Sequence, residues 1–331
     1  MKLRSDLELY EVVFRPRGFF ASVPTATTVF GAICWAYRFL YGEEKLLENL
    51  IPKAKEGVIL ITSPMPEDEK GKKFFFTPIL RPPDVVDERE GEKLLENRKK
   101  IKRLNFLPED RFCEVLEDFR RGKDTEKVLL EFFKQEELKK DEESLIEKET
   151  KGLRSSFYIS RVKLDSLFSS TEPGGNFFFH PVYFWRTNLF VFVACTEKLW
   201  EEVLPAFKLL AEYGLGSEKS VGYGSLEIVR TREAKEFKGI LWPEEKRNRY
   251  ITLSPVLATT KIDYRESLYD LRPFRGAIEN GLSSIKGNIW KPWLLFLREG
   301  SVVKLKEGEL AGGVFEHKGT YTYGIGFPVY V

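Results

Sequence analysis

The stretch GLGSEKSVGYGSLEIVR occupies residues 214–230. It follows a long amphipathic run and precedes a run of β-type residues, so the pattern predicts a loop between a helix and a strand. The loop contains four glycines that permit positive φ and close backbone approach: Gly214, Gly216, Gly222 and Gly224. Ser217, Lys219, Ser220 and the peptide N–H groups of this loop can bind an anion, and a phosphate backbone is one such anion.

Composition limits what kind of protein this is. With 331 residues and 42% hydrophobic residues, the chain can form one large domain or two ordinary ones. Lys and Arg number 53 against 51 Asp and Glu, which gives a net charge of only +2. Attraction of the whole molecule to nucleic acid is therefore weak, and any nucleic-acid binding must come from a local basic surface.

Cysteine usage and the N-terminus indicate the compartment. Cys34, Cys113 and Cys195 are far apart in apolar or helical contexts, which argues against a disulfide framework or a zinc cluster and favours a reducing compartment. The N-terminus lacks the apolar segment of a signal peptide, and no later run is apolar enough to span a bilayer. We expect a cytoplasmic protein. Its 31% charged residues and two methionines are typical of heat-adapted proteins.

Residues 7–230 predict a mixed α+β fold. The predicted strands lie at residues 7–14, 58–62, 73–80, 156–164, 177–179, 182–185, 188–195 and 225–230. The predicted helices lie between a cap at Thr25 or Thr27 and Gly42, from 43 to 51, and at 197–213, where Pro205 should kink or restart the helix. This order is the ferredoxin-like split βαβ arrangement, whose sheet exposes one face.

Two domains are expected. Residues 1–234 form the first ferredoxin-like domain, with a charged helical insertion at 81–151 whose pieces should be surface helices or partly mobile segments. Residues 235–248 read as a charged connection. The remainder, with strands predicted at 250–254, 292–297, 301–305 and 323–331, makes 235–331 a β-rich, degenerate copy of the same fold.

The residues argue against an enzyme. A nucleotide-binding glycine loop follows a strand and precedes a helix, whereas here the order is reversed. The two histidines, His180 and His317, lie in an aromatic strand pair and a glycine-flanked turn, where structural roles are expected. No paired-carboxylate motif or histidine–cysteine metal spacing is present, so we expect no cofactor and no metal site. A nuclease that uses Lys and Tyr remains open.

Single-stranded RNA binding has more support. Bases stack on exposed rings while small polar groups and cations hold phosphates. Tyr223, between two glycines, is either a base-stacking residue or a core tyrosine. Arg161, Lys163 and Asp165 occupy alternate strand positions and so face one side, as a groove or a solvated face. A second basic group contains Arg265, Arg272 and Arg275, with Trp290 and Trp293 close behind.

Three motifs together resemble the RAMP proteins of CRISPR effector complexes. The loop at 214–224 is similar to the family's glycine-rich loop. The segment SVPTATTVFGAICW at 22–35 resembles the turn and helix entry of the fourth subunit of the type III-A Csm complex. RVKLD at 161–165, followed by SSTEPGGNFF at 169–178, resembles that subunit's basic loop and aromatic strand, although Ser166 replaces the family's arginine.

The resemblance implies two ferredoxin-like (RRM-like) RAMP domains and a non-catalytic role in antiviral defence. The subunit would bind the repeat-derived 5′ tag of the crRNA, and would join the large polymerase-like Csm subunit to the backbone RAMP subunits. The glycine loop and the turn with Ser22, Pro24, Thr25 and Thr27 would contact the RNA backbone. Two alternatives are a RAMP-fold endoribonuclease that processes CRISPR transcripts and the equivalent subunit of a Cmr or type III-D complex.

Overall fold

The computed structural model describes residues 1–79, 104–122, 152–162, 177–243, 248–278 and 290–331. Its helices are α1 (Ala26–Tyr41), α2 (Glu43–Lys45), α3 (Ile51–Lys55), α4 (Glu109–Arg120), α5 (Glu197–Tyr213) and α6 (Lys235–Leu241), with a π-helical turn at Leu46–Leu50 and a 3₁₀ turn at Lys219–Val221. Helical structure continues through Pro52, so the predicted end of the second helix there is wrong.

The longest strands, of eight or nine residues, lie within residues 8–233. They are β1 (Glu8–Pro16), β2 (Ile59–Ile61), β3 (Met65–Glu67), β4 (Phe74–Phe76), β5 (Phe106–Pro108), β6 (Arg154–Val162), β7 (Phe177–Trp185), β8 (Asn188–Cys195), β9 (Leu226–Glu233), β10 (Arg249–Thr252), β11 (Val256–Leu257), β12 (Leu271–Phe274), β13 (Leu294–Leu297), β14 (Val302–Lys304), β15 (Gly312–His317), β16 (Thr320–Ile325) and β17 (Pro328–Tyr330). The mixed α+β class is confirmed.

The main sheet has the order β2–β8–β1–β9, and β3 also pairs with β8. All of these pairs are antiparallel. In β1, every residue from Leu9 to Phe14 is buried. Because successive side chains of a strand point to opposite faces, both faces of this sheet must be covered.

Helices α1 and α5 cover the first face. Tyr10 stacks on Trp200 of α5 with ring centres 4.2 Å apart. Helix α1 begins at its N-cap Thr25, as predicted, and ends at Gly42, where φ is +90°. Helix α5 runs through Pro205 as one element, so a restart of the helix there is wrong.

The second face is covered as well, contrary to the expectation of an exposed face. Phe75 of β4 stacks on Phe112 of α4 at 4.7 Å, and Phe192 of β8 packs against Phe237 of α6 at 5.1 Å. Two corrections follow. Residues 104–122 of the predicted insertion hold a strand and a helix that belong to the core, and the predicted charged connection after residue 234 begins with helix α6.

A buried ionic cluster lies on this second face. Glu11 of β1 and Lys73 are both almost fully buried, and Lys73 Nζ lies 2.7 Å from Glu11 Oε1. Arg232 donates to Glu11 at 2.6 Å, and Arg230 donates to the buried Glu67 at 2.7 Å. Burial alone raises the pKa of Glu11, but the hydrogen bonds from Lys73 and Arg232 outweigh it and hold that pKa below its usual value.

The C-terminal part is built of small antiparallel sheets, ordered β14–β10–β17, β11–β13–β12 and β15–β16. In the described residues after Leu241 there is no helix. This part shares a hydrophobic core with the main sheet. Thr27 Oγ1 donates to the carbonyl of Tyr323 at 2.8 Å, and Ser63 Oγ donates to Glu299 at 2.6 Å. No helix in the described ranges is long and apolar enough to cross a membrane.

Replacing Lys73 with Ala should destabilise the fold, because Glu11 and Glu67 would lose a buried cation. We expect the free energy of unfolding to fall by about 3 kcal/mol, the lower end of the usual range because Arg232 still pairs with Glu11. Urea unfolding measures this change. The control is Lys70→Ala, since Lys70 is exposed on a nearby turn and its loss should cost less than about 0.5 kcal/mol. Equal effects of the two substitutions would contradict a stabilising cluster.

Candidate nucleic-acid interface

The glycine loop has a buried base. Gly214, Leu215, Tyr223 and Gly224 are all buried, and they bring the two ends of the loop together. The N–H of Leu215 donates to the carbonyl of Gly224 at 2.8 Å, and the N–H of Gly214 donates to the carbonyl of Leu210 at 2.8 Å. These N–H groups are therefore not available to an anion, contrary to the expectation for the whole loop.

The base requires glycine at position 224. Its φ is +70°, and a Cβ atom there would lie 2.0 Å from the carbonyl oxygen of Leu215. Gly214 also has a positive φ, +92°, and a Cβ there would lie 3.3 Å from the carbonyl oxygen of Gly224. Both glycines were predicted to contact RNA, and in the structure they close the base of the loop.

The tip of the loop, residues 216–222, is where a ligand can reach the chain. Ser217, Ser220 and Gly222 are exposed, while Gly216 and Lys219 are half-buried. The N–H groups of Gly216 and Ser217 have no backbone partner among the described residues. Lys219 Nζ lies 4.6 Å from the centre of the Tyr213 ring. The tip therefore carries hydroxyls, N–H groups without a backbone partner among the described residues, and the ammonium group of Lys219, which already has contacts of its own within the protein.

The end of β1 supports the loop from below. The N–H of Gly224 donates to the carbonyl of Phe19 at 2.7 Å, and the N–H of Arg17 donates to the carbonyl of Ser225 at 2.9 Å. A Cβ on Gly18 would lie 2.8 Å from the carbonyl oxygen of Gly222. The backbone of residues 17–19 therefore packs directly on the backbone of the loop, and this contact fixes the distance between the loop and the end of β1.

The β6–β7 hairpin supports the loop from the side. Arg161 on β6 donates to Glu218 of the loop at 2.7 Å, and its guanidinium lies 5.0 Å from the centre of the Tyr223 ring. The structure therefore brings together two predicted motifs that are separated by more than fifty residues. Glu218 makes this pair from a left-handed conformation, with φ +63°.

Tyr223 is a core residue, so the base-stacking prediction for it is wrong. Only 8% of it is exposed. Its ring lies under the guanidinium of Arg161 and packs edge-on against Phe19, with ring centres 6.2 Å apart. Because Arg161 and Phe19 cover this ring, a nucleotide base cannot stack on it.

The turn before α1 is partly misassigned in the same way. Ser22 is exposed, as an RNA contact requires, and Thr25 is half-buried. Thr25 caps α1, and its N–H lies 3.4 Å from Thr28 Oγ1. Pro24 is buried, and Thr27 is 9% exposed with its hydroxyl bonded to Tyr323. Pro24 and Thr27 therefore position the helix and do not offer a surface to RNA.

The remaining predicted residues lie elsewhere. Lys163 and Asp165 fall outside the described residues. Arg272 is exposed. Burial lowers the pKa of Arg154, and the positive charge of Arg272 lowers it further. Arg154 lies at the opposite end of β6 from Arg161. At a rise of about 3.3 Å per residue, those two ends of β6 are about 23 Å apart. Arg275 lies between two indoles, 5.3 Å from Trp290 and 5.7 Å from Trp293.

The histidines and the acidic residues are the remaining candidate site residues. His180 lies on β7 with its ring centre 6.3 Å from that of Tyr223, and its buried Nε2 has no hydrogen-bond partner. The carbonyl of His317, at the end of β15, accepts a hydrogen bond from Thr320. Over the described ranges, no group of three His, Cys, Asp or Glu residues is arranged to hold a metal ion.

Two important residues were not predicted from the sequence. Glu218 anchors Arg161, but an acidic side chain inside a predicted anion-binding loop gives no signal of that role. Phe19 supplies a carbonyl to Gly224 and packs against Phe157 of the hairpin at 5.3 Å. Its position just after Gly18 at the end of a strand is the only local hint that backbone passes close by.

Gly224→Ala should open the base of the loop. The new Cβ would meet a backbone oxygen in a left-handed conformation, so we expect a loss of about 2 kcal/mol or more in the free energy of unfolding. Gly239→Ala is the matched control, because Gly239 lies in α6 with open space around it and should gain up to about 1 kcal/mol. Chemical denaturation of both variants measures these changes in the free energy of unfolding. A Gly224→Ala protein as stable as wild type would contradict the closed base.

The sequence and the structure can be compared with those of known proteins. No protein-family model matches the sequence, and no curated protein matches it. Solved structures do. A chain in the crystal structure of a Csm3–Csm4 subcomplex of the type III-A CRISPR-Cas interference complex is 18% identical, with a TM-score of 0.62, and the match covers 97% of this chain and 99% of that one.

Chains in two Csm1–Csm4 structures are also similar. The Csm1–Csm4 cassette with pppApA gives 18% identity and a TM-score of 0.56, and the cassette with cA4 gives 18% identity and a TM-score of 0.57. Each match covers 98% of both chains. Csm4 is the subunit that the three structures have in common. The protein therefore has, over nearly its whole length, the fold of the Csm4 subunit of type III-A CRISPR complexes, as its resemblance to RAMP proteins predicted.

Proposed function

We propose that the protein is a non-catalytic subunit of a type III-A CRISPR effector complex that binds the 5′ tag of the crRNA. The observation that carries the proposal is the exposed tip of the glycine loop, held on a closed base within a fold that matches Csm4 from end to end. A solved structure with 18% sequence identity supports the fold but not a particular RNA contact. The proposed RNA contact therefore rests on the chemistry of the loop tip.

That chemistry suits a phosphate backbone. The tip combines the hydroxyls of Ser217 and Ser220 with the N–H groups of Gly216 and Ser217, which have no backbone partner in the described part of the chain, and Lys219 adds a positive charge. Ser22 lies exposed two residues beyond Phe20, which is itself paired to Tyr183 of the hairpin. Small polar donors with one or two cations bind backbone without reading base sequence. This composition fits a repeat-derived tag held by its backbone.

An architectural role suits the same geometry better than catalysis. The guanidinium of Arg161 is bound to Glu218, and Nε2 of the half-buried His180 is itself buried. A metal-free ribonuclease needs a general base and acid within hydrogen-bond reach of the scissile phosphate. The tip supplies binding groups, and we therefore assign it to holding RNA.

The domain organisation is part of the proposal. The antiparallel order β2–β8–β1–β9, with α1 after β1 and α5 between β8 and β9, is the order of a ferredoxin-like domain within residues 1–234. We assign residues 235–331 to a second, degenerate unit. Its described residues include helix α6 and strands β10 to β17, and none of the described residues after Leu241 is helical.

The proposed protein partners are based on the similar solved structures. Csm4 is named there together with Csm3 in one structure and with Csm1 in others. We propose the same two protein partners for this chain, the large polymerase-like subunit and the backbone RAMP subunit. The shared fold over 97% or more of the chain supports this proposal.

Reconstitution tests the proposal. The chain should co-purify with the large subunit and the backbone subunit when coexpressed with a guide RNA, and the isolated complex should bind repeat RNA without cutting it. Metal-free cleavage of repeat RNA by the purified chain would support the endoribonuclease alternative instead. Failure to assemble with either subunit would refute the assignment to a type III-A complex.

Lys219→Gln should weaken binding of repeat-derived RNA because it removes one positive charge from the loop tip. We expect the slope of log affinity against log salt to fall by about 0.7, the value for one contact with a single strand. Lys208→Gln is the control, since Lys208 is exposed on α5 and carries the same charge. Filter binding at several salt concentrations measures both. Identical slopes for the two variants would remove Lys219 from the contact.

A further inference from the structure

The ion pair between Arg161 of the β6–β7 hairpin and Glu218 of the loop tip lies within the surface proposed to hold RNA. Arg161 Nη1 lies 2.7 Å from Glu218 Oε2, and the two side chains are 23% and 39% exposed. Glu218 stands between Ser217 and Lys219, two residues assigned to the phosphate backbone. A phosphate that binds either neighbour therefore comes close to a carboxylate of the same sign of charge.

Arg161 has a second support besides Glu218. Its guanidinium lies 5.0 Å from the centre of the Tyr223 ring, and Tyr223 is only 8% exposed in the closed base of the loop. Arg161 also lies opposite Phe178 in the continuous register of β6 with β7. The cation–π contact and the strand pairing remain if the carboxylate moves away, so the guanidinium stays beside the loop.

The shape of the tip depends on the main chain of Glu218 and not on its side chain. The carbonyl of Glu218 accepts hydrogen bonds from the N–H groups of Val221 at 3.2 Å and Tyr223 at 3.3 Å. Its φ is +63°, a left-handed conformation that is unfavourable for glutamate. A strained residue in a binding loop supports a role for its side chain. The carboxylate can therefore leave Arg161 without opening the tip.

We infer that Glu218 occupies the phosphate site of Arg161 in the free protein, and that a phosphate of the bound RNA displaces it. This inference rests on the proposed function, which places RNA at the tip. A guanidinium binds carboxylate and phosphate oxygens through the same N–H groups, so Arg161 can exchange one for the other.

The exchange is favourable because the ion pair is weak. An exposed pair of this kind gives a preference of about fivefold or less. A phosphate that is already held by the neighbouring tip groups can overcome this preference. Glu218 is therefore a positioning residue: it keeps Arg161 oriented in the free protein, and it lowers the affinity for RNA.

Glu218→Gln in the full chain tests the inference, because it removes the charge and keeps the shape of the side chain. We expect the affinity for repeat-derived RNA to rise about two- to fivefold, the strength of the lost ion pair. The slope of log affinity against log salt should steepen by up to about 0.7, since Arg161 becomes freely available to a phosphate. Glu212→Gln is the matched control: Glu212 is exposed at the end of α5, just before the loop, and its loss should leave affinity and slope nearly unchanged.

Arg161→Gln measures the coupling between the two residues. In the wild-type background it should cost little affinity, because Arg161 must release Glu218 before it binds a phosphate. In the Glu218→Gln background the same substitution should cost about two- to fivefold more. Charge repulsion between Glu218 and RNA acts equally in both backgrounds, so this difference is specific to the exchange.

Glu218→Asn is a second variant, because asparagine is neutral and tolerates the left-handed conformation. It should also tighten RNA binding. Urea unfolding of both Glu218 variants should give midpoints close to that of the wild type, since the hydrogen bonds of the tip use its main chain.

The inference fails if Glu218→Gln weakens or does not change RNA binding, because the ion pair would then be a structural support. It also fails if Glu212→Gln gives the same gain, or if Arg161→Gln has the same effect in both backgrounds. Each of these results leaves the proposed function intact. A wild-type chain that does not bind repeat-derived RNA would refute both the exchange and the proposed RNA contact, so the two failures are distinguishable.

Discussion

The hydrogen bond from the N–H of Leu215 to the carbonyl of Gly224 is the contact on which the candidate interface depends. It closes the glycine loop at its base, and the backbone approaches so closely there that only glycine fits at position 224. Closure divides the loop into a buried base and an exposed tip. It also places Tyr223 below Arg161, so that Glu218 at the tip can hold the hairpin.

Local features of the interface could be predicted from the sequence. Gly42 and Thr25 mark the ends of α1 because capping depends on neighbouring residues alone. The glycine loop was placed correctly between α5 and β9 for the same reason. Which N–H groups remain free was not predictable, because that depends on Leu215 meeting Gly224 and on Phe19 meeting the loop. Burial of Tyr223 and Thr27 likewise depends on partners that are distant in the sequence.

The fold shows the same limit at larger scale. Residues 109–120 carry so many charges that their four buried apolar residues did not stand out, yet they cover a face of the main sheet. Lys73 begins a predicted strand, but its burial against Glu11 is a tertiary effect that the strand pattern does not reveal. Helix α6 was hidden by the same charge density. In each case amphipathic covering elements resemble surface segments until the sheet beneath them is known.

Cross-linking tests the central claim most directly. A guide RNA with 4-thiouridine placed at successive positions of its 5′ tag would be bound to the assembled complex, irradiated and mapped by mass spectrometry. The account predicts cross-links within residues 216–222, with weaker ones at Ser22, and none at the buried Tyr223. Cross-links from the tag that map elsewhere on the chain or only to other subunits, with the loop tip unmodified, would contradict it.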